Sequence, residues 1–155
     1  MTQRTWHDVV EGEHLADVAY PLTVTRLVMA AGANRDFFPI HHNPEFARAS
    51  GAPDIYANTF FLQGMWERCV REYIGTAGRM HSLTGFTMNS FNTPGQTVVV
   101  EGRVTRKWQE EGAGLVEIEI ATRNAAGSVS VGPGRVVASL PLLAAPATSV
   151  VRSAA

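Results

Sequence analysis

The sequence predicts an α+β domain in which an antiparallel sheet wraps one long central helix. Two observations carry this. Residues 59–75, TFFLQGMWERCVREYIG, repeat apolar side chains at helical spacing. Phe60, Leu62, Met65, Trp66, Cys69, Val70, Tyr73 and Ile74 make a broad apolar face, with Glu67, Arg68, Arg71 and Glu72 mostly opposite. From Met80 onward the period changes to two, in runs separated by glycine- and proline-bearing turns at hairpin spacing. A helix this apolar needs a sheet to cover it, and the second half of the chain supplies one.

In chain order, residues 2–14 are polar around a single Trp6 and pack over the domain edge or lead into the first strand; His7 and His14 read as surface residues. Residues 15–25, LADVAYPLTVT, alternate in their second half and carry β-branched side chains, which predicts a strand with Pro21 at an edge or bulge. Thr25 then caps a short helix, RLVMAA, ended by Gly32. A second short helix follows Asn43 as N-cap, with Pro44 in its first turn and Gly51 as its stop. Asn58 or Thr59 caps the long helix and Gly75 ends it. Strands are predicted over 81–91, over 96–111 with a break at Gly102, over 113–124, and over 128–140 with an interruption at Gly132-Pro133-Gly134. Pro94-Gly95, residues 112–114 and residues 125–127 are the turns between them. The domain is expected over 1–143, with 144–155 a disordered tail of Ala, Ser, Thr, Pro and Val.

Composition narrows the function classes. The chain has 155 residues, which favours one domain, and its 45% hydrophobic content suffices for a core. A formal net charge of −1 argues against general nucleic-acid or anionic-membrane binding. The single cysteine, Cys69, falls in the helical pattern and reads as a small core residue. No apolar run resembles a signal core or a membrane span, so a cytoplasmic protein is expected. No GxGxxG, P-loop or Ser-His-Asp arrangement is visible.

The chemistry concentrates in residues 35–51, RDFFPIHHNPEFARASG, where Asp36 and His41 stand five positions apart with Pro39 between them. Proline lacks an amide hydrogen and has a fixed φ, so this is not a helix interior, and Phe38 before it is pushed toward extended backbone. The two groups therefore sit on a loop held by its flanks, the usual setting for catalytic residues. Either alone has a plain structural reading, Asp36 as a turn cap and His41 as a histidine beside apolar Ile40. Their joint appearance with Pro39-Ile40 and the helix that follows favours catalysis.

Residues 36–47, DFFPIHHNPEFA, resemble the hydratase signature of MaoC-like hot-dog enzymes, Asp-x-Asn-Pro-(Ile/Leu)-His-x-Asp-x-x-x-Ala. Asp36, Pro39, Ile40, His41 and Ala47 match, whereas Phe38 stands in place of Asn and Asn43 in place of Asp. The Arg-Asp and His-His variant is more similar to the small MaoC-like subunits that act on steroid side-chain CoA esters. The resemblance spans about 22–140 and implies a single hot-dog fold. It also implies a dimer or heteromer with another hot-dog chain and a trans-2-enoyl thioester of CoA or an acyl carrier as substrate.

Hydration of that double bond needs a base for the attacking water, a proton for the α-carbon and a donor for the enolate oxygen. His41 suits the first, because its unperturbed pKa of ~6.5 lies near operating pH. Asp36 is expected to hold the water, orient the imidazole or return the proton. In the family the enolate donor lies at the start of the central helix, in a stretch like Ala-His-Gly-Met. The matching stretch here is Tyr56-Ala57-Asn58-Thr59, which makes the Asn58 backbone N–H the expected donor. His42 and Asn43 are expected just behind the two catalytic groups. No metal or redox cofactor is implied, since neighbouring side chains at His41 and His42 diverge and no third ligand is visible. His81 reads as structural, and Arg103, Arg106 and Lys107 as a solvated strand face rather than a CoA phosphate site. The alternatives are a hot-dog thioesterase using Glu67 or Glu72, and a partner-dependent or non-catalytic subunit of a hetero-oligomeric hydratase.

Overall fold

The computed structural model describes residues 3–143, so the expected tail over 144–155 lies outside the described residues. Strands β1 (Val18–Pro21), β2 (Arg79–Thr84), β3 (Thr97–Glu110), β4 (Ala113–Arg123) and β5 (Val129–Leu140) form one antiparallel sheet in the order β1-β3-β4-β5-β2. Their alternation buries one face: Val98, Val100 and Val104 of β3, Val116, Ile118 and Ile120 of β4, Val136 and Ala138 of β5. The β3–β4 turn is Glu111-Gly112, with φ of 50° and 78°. Two positive φ angles are what a two-residue type I′ hairpin turn requires.

Three helices fill the rest: α1 (Val24–Ala33), α2 (Pro44–Ala49) and α3 (Thr59–Ile74). The Asn58 side chain caps α3 by accepting the Phe61 N–H, and Gly75 ends it at φ 73°. Leu62, Met65, Trp66, Cys69, Val70, Tyr73 and Ile74 join the buried sheet face in one cluster. Each large buried aliphatic or aromatic side chain contributes about 1.5–3 kcal/mol. Trp66 is fully buried and its Nε1–H donates to Thr122 Oγ1 at 2.8 Å. Burial raises the Cys69 thiol to about 11, with Glu72 and Asp17 adding to the shift, so it is an inert core residue as expected. Among the described residues no helix is long and apolar enough to cross a membrane.

Several sequence expectations need correction. Thr23, not Thr25, caps α1, and the helix runs through Gly32 to Ala33. A glycine is a preferred stop but not an obligatory one, and the left-handed residue that ends α1 is Arg35, φ 57°. Gly102 does not break β3; it pairs with Ile120 inside the strand, and a Cβ there would approach Leu15 Cδ2 to 2.9 Å. The strand expected over 81–91 is β2 over Arg79–Thr84, followed by Gly85 at φ 70° and a single bridge from Met88 to Val131. The stretch Gly132-Pro133-Gly134 is not an interruption: β5 passes through it with a register shift against β4. Phe60 leaves the core face and is 60% exposed.

The N-terminal segment packs as an edge cover. His7 and His14 are exposed, as expected. Lys107 Nζ donates to Val9 O at 2.7 Å, Arg103 Nε donates to Gly12 O at 3.2 Å, and the Arg106 guanidinium lies over Trp108. These contacts give the three basic residues of β3 a structural use. His81 Nε2 meets Ser139 Oγ across the β2–β5 pair.

Candidate active site

Asp36 is positioned by the way α1 stops. The Asp36 N–H bonds Ala31 O at 2.9 Å and the Arg35 N–H bonds Gly32 O at 3.1 Å. This is the pair of a Schellman motif, with Arg35 in the left-handed position that glycine usually takes. The chain then turns outward, with Phe38 extended at φ −66° and ψ 130° as the following proline requires. A 3-10 turn, Pro39–His41, swings His41 inward, and the Asn43 N–H closes it on Pro39 O at 2.8 Å. Asn43 then caps α2, its Oδ1 accepting the Phe46 N–H at 3.0 Å. Phe38 stacks edge-on against Phe46 at 5.7 Å on the outer side. Ala47 is fully buried beneath the turn, where a larger side chain has no room.

These local devices bring the two expected groups together. His41 Nε2 lies 3.2 Å from Asp36 Oδ2, with the His41 side chain 7% exposed and that of Asp36 27% exposed. His41 Nδ1 lies 2.8 Å from the carbonyl oxygen of Tyr56. A carbonyl only accepts, so Nδ1 carries a proton and Nε2 is the nitrogen left facing Asp36.

Asn58 closes the site from the start of α3. Its Nδ2 donates to the same Asp36 Oδ2 at 3.3 Å, while its Oδ1 takes the Phe61 N–H and a hydrogen bond from Asn34 Nδ2. The side chain is therefore folded back onto the cap and the dyad. Its backbone N–H has no acceptor among the described residues. The helix dipole adds positive potential at that point. Tyr56 forms a wall, with its ring edge-on to His41 at 5.3 Å and 4.9 Å from Phe91. Burial first, and the Asp36 charge second, push its phenol above the ordinary range, so it stays protonated.

Other expected residues fall outside this cluster. His42 points away from His41 and meets Phe37 O at 3.1 Å on the exposed side, while Asn43 acts through the α2 cap. Glu67 and Glu72 pair with Arg71 and Arg68 on α3. At 1.5 Å of rise per residue, Glu72 is about 20 Å along the helix from Asn58. Among the described residues no three His, Cys, Asp or Glu side chains gather at a metal-binding spacing. The residues the sequence did not reveal are Tyr56 and Asn34. Tyr56 acts on His41 through a backbone carbonyl, which residue types do not report, and Asn34 reaches Asn58 only through the packing of α1 beside α3.

No family model matches the chain. It is 30% identical over 103 residues, 66% of this chain and 76% of the relative, to the 3-oxo-4,17-pregnadiene-20-carboxyl-CoA hydratase beta subunit of Mycobacterium tuberculosis. Among solved structures it superposes on a chain of the ChsH1-ChsH2 complex from Mycobacterium tuberculosis with a TM-score of 0.75 and 27% identity, covering 84% of this chain and 98% of that one. The (R)-hydratase from A. caviae involved in PHA biosynthesis superposes with a TM-score of 0.76 at 18% identity, covering 86% and 98%. That last likeness is one of fold.

Proposed function

The chain belongs to the MaoC-like family of hot-dog hydratases and dehydratases, and from that premise we propose that it adds water to a trans-2-enoyl thioester, or runs the reverse dehydration. The observation that carries this reading is the Asp36–His41 contact at 3.2 Å, with Nδ1 of the same ring committed to the Tyr56 carbonyl. In the hydration direction, His41 Nε2 takes a proton from the attacking water as its oxygen bonds the β-carbon. Asp36 orients that water and returns a proton to the α-carbon, so one proton enters the pair and one leaves it. The Asn58 backbone N–H is assigned to the thioester oxygen as enolate charge develops. His42 and Asn43 support the loop without touching substrate. The reaction is redox-neutral, and the CoA or acyl-carrier arm belongs to the substrate.

A second reading has its own support. The relative above is named a beta subunit, and the 27%-identical neighbour is a chain of a two-protein complex. In this chain β2 is an edge of the sheet, and Met88 and Phe91 beyond it are each 42% exposed. The chain then works as a homodimer or beside another hot-dog chain, and turnover requires that partner. The thioesterase reading is weaker, because Glu67 and Glu72 are held in ion pairs away from the dyad. A cytoplasmic location is part of the proposal.

The test is to incubate the purified chain with trans-2-enoyl-CoA esters from short to steroid-sized and follow loss of enone absorbance, with Asp36→Asn as control. Loss that vanishes in the variant is the expected result. Release of free thiol would overturn it in favour of a thioesterase. Loss only with a co-expressed hot-dog partner would select the second reading.

A further inference from the structure

Beside the dyad, α1 and the first half of α3 leave an open groove of about 650 Å³ between them. Its walls are Met29 and Phe60, 68% and 60% exposed, and Ala30, Ala33 and Gly64 line it between them. Asn34 lines it as well. The Asn34 side chain bonds Asn58 Oδ1 at 3.3 Å, and Asn58 Nδ2 bonds Asp36 Oδ2 at 3.3 Å. The groove is therefore two hydrogen bonds from the reacting pair.

Gly64 is the telling residue. It lies inside a 16-residue helix, where glycine is the weakest choice apart from proline. Its φ is not in the left-handed region. A Cβ built on it meets nothing within 4 Å. Gly132 and Gly134 face the opposite situation, because a Cβ there would run into the Trp66 ring. Neither the backbone nor the packing of this chain calls for glycine at 64; what its missing side chain does is keep the groove deep.

We propose that this groove seats the acyl body of the thioester, and that the substrate class is therefore a bulky, apolar acyl group rather than one of a few carbons. The inference rests on the hydratase reading for the thioester itself. The volume of about 650 Å³ falls within the about 300–1,000 Å³ of pockets that enclose drug-sized ligands. The reacting carbons sit at the Asp36–His41 end, and the body runs along α1 and α3 past Phe60.

The experiment compares binding of two saturated esters, butanoyl-CoA and dodecanoyl-CoA, by calorimetry to the full chain and to Gly64→Ala and Gly64→Leu. In parallel, turnover of the corresponding trans-2-enoyl esters is followed and Tm is recorded. The unaltered chain should favour the larger ester at least about tenfold, which a few buried methylenes supply, and Gly64→Leu should cut that preference by about tenfold. Gly64→Ala should raise Tm while lowering the preference, a combination that a purely structural glycine does not give. An unmoved preference in both variants overturns the proposal. So does an unmoved preference with a changed assembly mass in Gly64→Leu, which would make the groove a seat for another chain. Saturated esters bind without reacting, so the two readings fail separately. A chain that prefers the larger ester but hydrates neither loses the hydratase reading alone, and one that hydrates with an unmoved preference loses the groove alone.

Discussion

Arg35 holds a backbone conformation that L side chains resist, and Asp36 owes its place to it. At φ 57° the residue sits where a non-glycine side chain costs about 1–2 kcal/mol. Arg35→Gly keeps the same turn with less strain, though a freer unfolded chain offsets part of the gain. It should raise unfolding stability by about 0.5–1 kcal/mol in urea titration while turnover persists. A loss of stability would show that the arginine side chain itself anchors the turn. Asp36 Oδ2 and His41 Nε2 lie 3.2 Å apart, so substitutions at the two are expected to act as one unit. Asp36→Asn and His41→Ala should each lower kcat by about 10²–10⁴-fold with the fold intact by circular dichroism. The double variant should fall little further than either single one, since residues that work together are not additive.

At the scale of elements, α3 and β5 are fitted to each other through one side chain. Trp66 lies against Gly132 and Gly134, and its Nε1–H reaches across to Thr122 on β4. A Cβ on Gly134 would fall 2.6 Å from Thr84 O and 2.7 Å from Trp66 Cζ3. One of those neighbours is backbone of β2 and the other a fully buried ring, so neither yields cheaply. Gly134→Ala should destabilise the protein by about 1–3 kcal/mol, read as a lower denaturation midpoint with an unchanged slope. The same substitution at Gly127, where a Cβ meets nothing within 4 Å but φ is 78°, tests the separate effect of backbone conformation.

Over the whole molecule, the N-terminal segment is tied across the sheet edge to α3 through Glu13. Its carboxylate takes hydrogen bonds from Arg4, from the Tyr73 hydroxyl and from the Val10 N–H. Burial alone would raise this carboxyl, but the hydrogen bonds from Tyr73, Val10 and Arg4 outweigh it and hold it below the ordinary range. A carboxyl lowered on folding contributes stability that is fully present above its unfolded value of ~4.3 and is lost as pH falls through its folded value. Glu13→Gln should therefore cost about 1–2 kcal/mol at pH 7. The gap to the unaltered protein should narrow as the pH is taken below ~4. A gap independent of pH would mean that shape rather than charge holds the segment.

The α+β class, the long helix with its Asn58 cap and Gly75 stop, the β3–β4 hairpin and the Asp36–His41 pairing were all legible in the chain. They rest on periodicity, turn chemistry and local spacing, which act over a few residues. Other features were not legible: Arg35 rather than Gly32 as the end of α1, Gly102 inside rather than between strands, and Phe60 outside the core. Each depends on what a neighbouring element does, since a glycine can serve a turn or a close contact and a phenylalanine on a helix edge is buried only if something covers it. The sequence by itself thus determined which groups could do chemistry and on which loop. Only the tertiary structure decided which His41 nitrogen is free, because the Tyr56 carbonyl that commits the other arrives from 15 residues away. The tertiary structure alone likewise brought the start of α3 onto Asp36 and opened the groove over Gly64 beside it, through packing between elements that no local pattern encodes.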